Sequence, residues 1–120
     1  MDHTIGNEIS DGESPLTRWL GIVQARSGDL AASEKKAVRQ QLFKGNEYWF
    51  WLGTEVEAAK VSVHVYDSDG KLVEQSDGWQ KGHFAAAHVI PKTTGSYFII
   101  VEIESSPEER THWALVYGFR

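Results

Sequence analysis

Between Val61 and Val65 three valines alternate with Ser62 and His64, and Tyr66-Asp67-Ser68-Asp69-Gly70-Lys71-Leu72-Val73 follows directly. A period of two puts alternate side chains on opposite faces, which demands a strand with one buried side. Asp69-Gly70 tolerates the positive φ of a tight turn, so Lys71-Leu72-Val73 is expected to return as the partner strand of a hairpin. The remaining segments are expected to build two faces around that hairpin.

The late part of the chain repeats the pattern. From Tyr97 to Ile103, Tyr97, Ile99, Val101 and Ile103 face one way and Phe98, Ile100 and Glu102 the other. Trp113, Leu115, Tyr117 and Phe119 share a face in the last strand. Val38, Gln40 and Leu42 alternate weakly within Ala37–Phe43, and Phe84–Ile90, bounded by Gly82 and Pro91, suits a strand. Tyr48-Trp49-Phe50-Trp51-Leu52 is aromatic on both faces, so both should be covered, one by the opposite sheet and one by a loop or a segment such as Ser14–Gly28. That segment is ambiguous. Leu16, Trp19, Leu20 and Val23 fall at helical spacing, whereas Trp19, Gly21, Val23 and Ala25 alternate; an interior Gly21 favours the strand. Gly28-Asp29 reads as a turn, Ala31–Lys36 as a helical turn or loop, and Glu74–Gly82 as a polar connection.

Short strands separated by turn signals predict an all-β protein, a jelly-roll-like antiparallel β-sandwich of about eight strands. The expected organisation is a polar lead-in over residues 1–13 and one sandwich domain over residues 14–120. A chain of 120 residues with five Trp, four Tyr and five Phe can bury a core without covalent staples, and it has no Cys to form them. The net charge of −5 and the absence of a basic run argue against nucleic acid or an anionic membrane as the main partner. No apolar run is long enough for membrane insertion as a helix.

Three segments, taken in order, resemble the bacterial pre-peptidase C-terminal domain. Leu42-Phe43-Lys44-Gly45-Asn46-Glu47-Tyr48-Trp49-Phe50 is similar to that family's Leu, Gly, Tyr, Phe segment. Val65–Val73 is similar to its Tyr-Asp…Asp-Gly…Leu-Val hairpin, and Pro91–Val101 to its Pro…Thr-Gly-x-Tyr segment. The likeness covers Leu42 to Arg120, with Trp113–Tyr117 where the family's last strand would be. It implies a non-catalytic accessory or interaction domain of an exported bacterial protein, hence a periplasmic or extracellular location with a signal peptide removed upstream; the residues alone, with neither a basic start nor an apolar stretch after Met1, are equally compatible with a cytoplasmic protein. Related collagenase domains bind calcium and collagen. The chain departs from the family at Ser33-Glu34-Lys35-Lys36, where acidic residues often precede the third strand.

The residues also suggest a second function, a carbohydrate- or protein-binding module, with calcium as an accessory ion. Trp79, outside the expected strands, would form a stacking platform with Tyr66 and Trp113, or else fold over a sheet end as a lid. Asp67, Asp69 and Asp77 are the candidate calcium ligands, although an Asp at a hairpin corner is also favoured because it caps the turn. His64, His83, His88 and His112 lack the spacing of a zinc site. A third reading, a small hydrolase, would need His64 or His88 beside a carboxylate in a concave pocket; no nucleophile elbow or phosphate loop accompanies it.

Overall fold

A computed structural model describes residues 24–120. Their eight strands are β1 (Gln24–Leu30), β2 (Lys35–Leu42), β3 (Tyr48–Gly53), β4 (Lys60–Asp67), β5 (Trp79–Lys81), β6 (Phe84–Val89), β7 (Gly95–Ser105) and β8 (Thr111–Phe119). They form a five-stranded sheet in the order β1-β8-β3-β6-β5 and a three-stranded sheet in the order β2-β7-β4, with every pairing antiparallel. The expected all-β, two-sheet class is what the chain adopts. No helix occurs among the described residues.

The core lies where the inward parities of the two sheets meet. β7 contributes Tyr97, Ile99, Val101 and Ile103, and its neighbours add Val38 and Leu42 from β2 and Val61, Val63 and Val65 from β4. The five-stranded sheet answers with Tyr48, Phe50 and Leu52 from β3 and Trp113, Leu115 and Tyr117 from β8. Phe50 and Tyr117 stack with centroids 5.3 Å apart. Full burial of a side chain of this kind stabilises by about 1.5–3 kcal/mol. The alternation of β3, β7 and β8 is thus the pattern that joins the two layers.

The hairpin reading needs correction. The Asp69-Gly70 corner forms, with Gly70 at φ 82° and its amide donating to the Asp67 carbonyl. The return is shorter than expected: a single bridge joins Tyr66 and Leu72, and the Val73 amide donates to the Val65 carbonyl. The reciprocal Val65 amide then goes to the Glu74 carboxylate at 3.0 Å, and this side chain ends the ladder. β4 is therefore an edge strand of the small sheet, and β7 lies at that sheet's centre.

Three connections also differ from the sequence reading. Gly28 and Asp29 lie inside β1, paired to Trp113 and His112. Lys35 and Lys36 belong to β2, and the turn is confined to the residues before them, where Ser33 adopts φ 71°. The supposed loop Glu74–Gly82 contains β5, a strand too short to show periodicity, held against Phe84–Ala86. The expected lead-in, and Leu16, Trp19, Leu20 and Val23, lie outside the described residues.

Candidate functional site

Cross-strand partners share one face of a sheet, so the registers define what the five-stranded sheet presents away from the core. One row runs through Ala25, Val116, Trp51, Ala86 and Trp79, one residue from each strand. All five are apolar. Ala86 is buried, Trp51 and Val116 are half-buried, and Trp79 is 47% exposed. The next row is Ser27, Ala114, Gly53, Phe84 and Lys81. A Cβ on Gly53 would come within 2.8 Å of the Phe84 ring, so the glycine is what lets that ring lie across β3. A third row carries Gly118, Trp49 and His88. Trp49 stacks on Trp51 at 6.1 Å between centroids.

Beside these rows a groove of about 1020 Å³ opens over the sheet. Its apolar lining includes Trp51, Val56, Phe84, Ala114 and Val116. Glu55 and Glu57 border it from the β3–β4 loop, and Glu108 and Arg110 from the β7–β8 loop. Arg110 is already engaged: it holds Asp29 at 2.6 Å and Glu34 at 3.4 Å. That hydrogen bond, with the guanidinium charge, lowers the Asp29 pKa. Glu55, Glu57 and Glu108 have no ion pair among the described residues.

At the other end of the face, His88 is buried between two acids. Its Nδ1 lies 2.9 Å from Asp77 and its Nε2 lies 2.6 Å from Glu47. Burial pushes the Glu47 carboxyl up, but hydrogen bonds from His88 and Arg120, and their charges, outweigh this and leave it below the usual Glu range. His64 has a similar partner: its Nδ1 is 3.1 Å from Glu74, beside a small cavity of about 190 Å³. A histidine next to a carboxylate in a concavity is what the hydrolase reading required. No hydroxyl is hydrogen-bonded to either ring among the described residues, and Glu74 also accepts the Val65 amide. Both pairs tie the segment after Val73 to the sheets.

The structure separates the residues expected to act together. Trp113 is 3% exposed and points into the core, which removes it from any surface platform; its strand parity, shared with Leu115 and Tyr117, carries it inward. Tyr66 lies on β4 of the other sheet, and Trp79 stands on the aromatic row, within β5. Asp67 Oδ1 accepts the amides of Asp69 and Lys71, the turn-capping role, whereas Asp77 is turned to His88. No group of three or more His, Cys, Asp or Glu that could hold a metal occurs among the described residues. The aromatic row itself was half visible in the sequence, since Trp49 and Trp51 have outward parity on a strand whose other face is apolar. Its completion by Val116, Ala86 and Trp79 needed the strand order.

No family model matches the chain, and a comparison with curated proteins found no match. Solved structures do match. One is the crystal structure of Aeromonas hydrophila PliG, a periplasmic lysozyme inhibitor of g-type lysozyme; it aligns with a TM-score of 0.58 over 83% of this chain and 88% of that chain, at 12% identity. At that identity the likeness is one of fold. No helix among the described residues is long and apolar enough to cross a membrane.

Proposed function

We propose that this chain is a non-catalytic protein-interaction domain of the bacterial periplasm or exterior, and that it docks on its partner through the outer face of the five-stranded sheet. The observation that carries this is the row Ala25, Val116, Trp51, Ala86 and Trp79, apolar on all five strands, with Trp51 and Val116 lining the groove and Trp79 exposed among the described residues. Large contiguous apolar faces mark interaction sites, and tryptophan is favoured at the energetic centre of interfaces. An accessory role beside other domains, as the pre-peptidase C-terminal resemblance implies, belongs to the same reading. The fold shared with a lysozyme inhibitor supports a protein as the partner and makes a g-type lysozyme the first to try.

The test is inhibition of a g-type lysozyme by the full chain, with binding followed by calorimetry. Ala114 is exposed in the groove, so Ala114→Arg should fold normally and obstruct the face. Saturable inhibition that this variant weakens by about tenfold or more, roughly 1.4 kcal/mol, is expected. Undiminished inhibition by the variant overturns the docking face, and no inhibition by the parent chain overturns the lysozyme assignment. Saturable binding of chito-oligosaccharides, lost in Trp51→Ala, would replace the protein partner with the carbohydrate-binding alternative.

A further inference from the structure

The groove pairs an apolar floor with negative charge that has no ion pair among the described residues, and the backbone of both acidic borders is held in place. On one side the Thr54 amide donates to the His83 carbonyl, Thr54 Oγ1 accepts the Val56 amide, and the Ala59 amide donates to the Val56 carbonyl. This fixes the turn that displays Glu55 and Glu57, both exposed. On the other side Ser106 Oγ accepts the Glu108 amide at 3.1 Å and the Thr111 hydroxyl at 2.6 Å, which fixes the base of the loop carrying Glu108. Arg110, the guanidinium at the groove among the described residues, is taken up by Asp29 and Glu34, so none of these residues pairs with the three carboxylates.

We infer that the groove receives a cationic segment of the partner protein, its Lys or Arg side chains answered by Glu55, Glu57 and Glu108 and its apolar side chains seated on Trp51, Phe84 and Val116. This rests on the docking reading above and names the chemistry of the occupant. Charge complementarity selects the partner: an acidic segment would meet three like charges, whereas a basic one exchanges solvent for carboxylates already in position. The chain's net charge of −5 acts in the same direction at longer range and steers cationic surfaces toward it. The apolar floor supplies contact that salt does not screen, and the borders supply the discrimination.

Two short peptides of equal length test this on the full chain, one alternating Lys and Val, the other alternating Glu and Val. Calorimetry gives affinity, and amide chemical shifts locate the site. The Lys–Val peptide should bind saturably and move the resonances of Trp51, Glu55, Phe84 and Val116. Its affinity should fall about tenfold or more between about 50 and about 300 mM salt, as exposed charge pairs are screened. The triple variant Glu55→Gln, Glu57→Gln, Glu108→Gln, with all three positions exposed, should fold and lose about tenfold in affinity. Equal binding of the Glu–Val peptide, no binding of the Lys–Val peptide, shifts confined to β1, or an unchanged triple variant each overturns the cationic occupant. The two readings fail separately: if Ala114→Arg leaves lysozyme binding unchanged, the docking face falls, whereas if Ala114→Arg abolishes that binding while the triple variant binds as before, the face stands and the charge selection falls.

Discussion

The His88 imidazole lies flat against Trp49, with ring centroids 4.5 Å apart and planes 4° from parallel. Asp77 and Glu47 reach its two nitrogens from opposite sides, and the Gln75 amide donates to its backbone carbonyl at 2.7 Å. The ring therefore joins the third row of the aromatic face to the segment between β4 and β5, and through Glu47 to Arg120 at the chain end.

Replacing that ring separates stacking from hydrogen bonding. His88→Ala should destabilise the fold by about 1–3 kcal/mol, because Asp77 loses its partner, Glu47 keeps only Arg120, and Trp49 loses its stack. His88→Phe keeps the stack and should still lose the hydrogen-bond part. Urea unfolding of both variants measures the difference. Amide exchange should quicken at Gln75–Asp77 in each, and unchanged exchange there would show that His88 does not secure the segment.

Acid should weaken the fold through the same cluster. Glu47 titrates below its ordinary value near 4.5 in the folded chain, and Asp29 below 3.8. Groups with depressed folded pKa values contribute stability that is complete above the unfolded value and is lost as pH falls through the folded one. The melting temperature should therefore decline below about pH 4.5, and Glu47→Gln should flatten the decline. Asp29→Asn should flatten it less, and least at high salt, because the Asp29–Arg110 pair is exposed.

Trp113 and Trp79 should behave oppositely. Trp113→Ala empties a buried core site and should cost about 3–5 kcal/mol. Trp113→Phe should cost less, since the indole N–H is buried without a hydrogen-bond partner among the described residues. Trp79→Ala, at a site 47% exposed, should change stability by less than about 1 kcal/mol and register in partner binding. Chemical denaturation of the three variants decides this, and a large loss for Trp79→Ala would mean that it acts as a lid on the core.

Gly78 offers a test of how β5 is seated. An added Cβ would stand 2.8 Å from the Ala86 carbonyl oxygen and 3.4 Å from the Ala87 Cα, both backbone atoms that cannot swing aside. Gly78→Ala should cost about 1–3 kcal/mol and loosen the β5–β6 pairing in hydrogen exchange. Gly95→Ala, where a Cβ meets nothing within 4 Å, should be close to neutral and serves as the control.

The legibility of the chain followed range. Tyr97–Ile103 and Trp113–Phe119 declared their buried faces because alternation is a local property of a strand, and the structure buries Tyr97, Ile99, Val101, Ile103, Trp113, Leu115 and Tyr117. Trp113 shows what alternation leaves open, since its sequence context alone is compatible with a surface and the structure buries it. Parity says which side chains share a face, and the neighbouring sheet says which face is inside. β5 escaped because three residues cannot display a period against the polar Glu74–Gly82 background. Asp77 suggested a metal with Asp67 and Asp69 as carboxylates around one turn, but its side chain is turned to His88 on β6, and Asp67 caps its own turn.

The amino-acid sequence by itself determined the strand character, most turn positions and the doubly apolar nature of Tyr48–Leu52. These follow from backbone geometry and side-chain alternation within a few residues. The tertiary structure alone decided that β8 and β6 flank β3, so that Val116, Trp51 and Ala86 form one row completed by Ala25 and Trp79. It alone set Glu55 and Glu57 with Glu108 at one groove. Such juxtapositions depend on which distant strands exchange backbone hydrogen bonds, and the packing of both sheets over the shared core settles that choice.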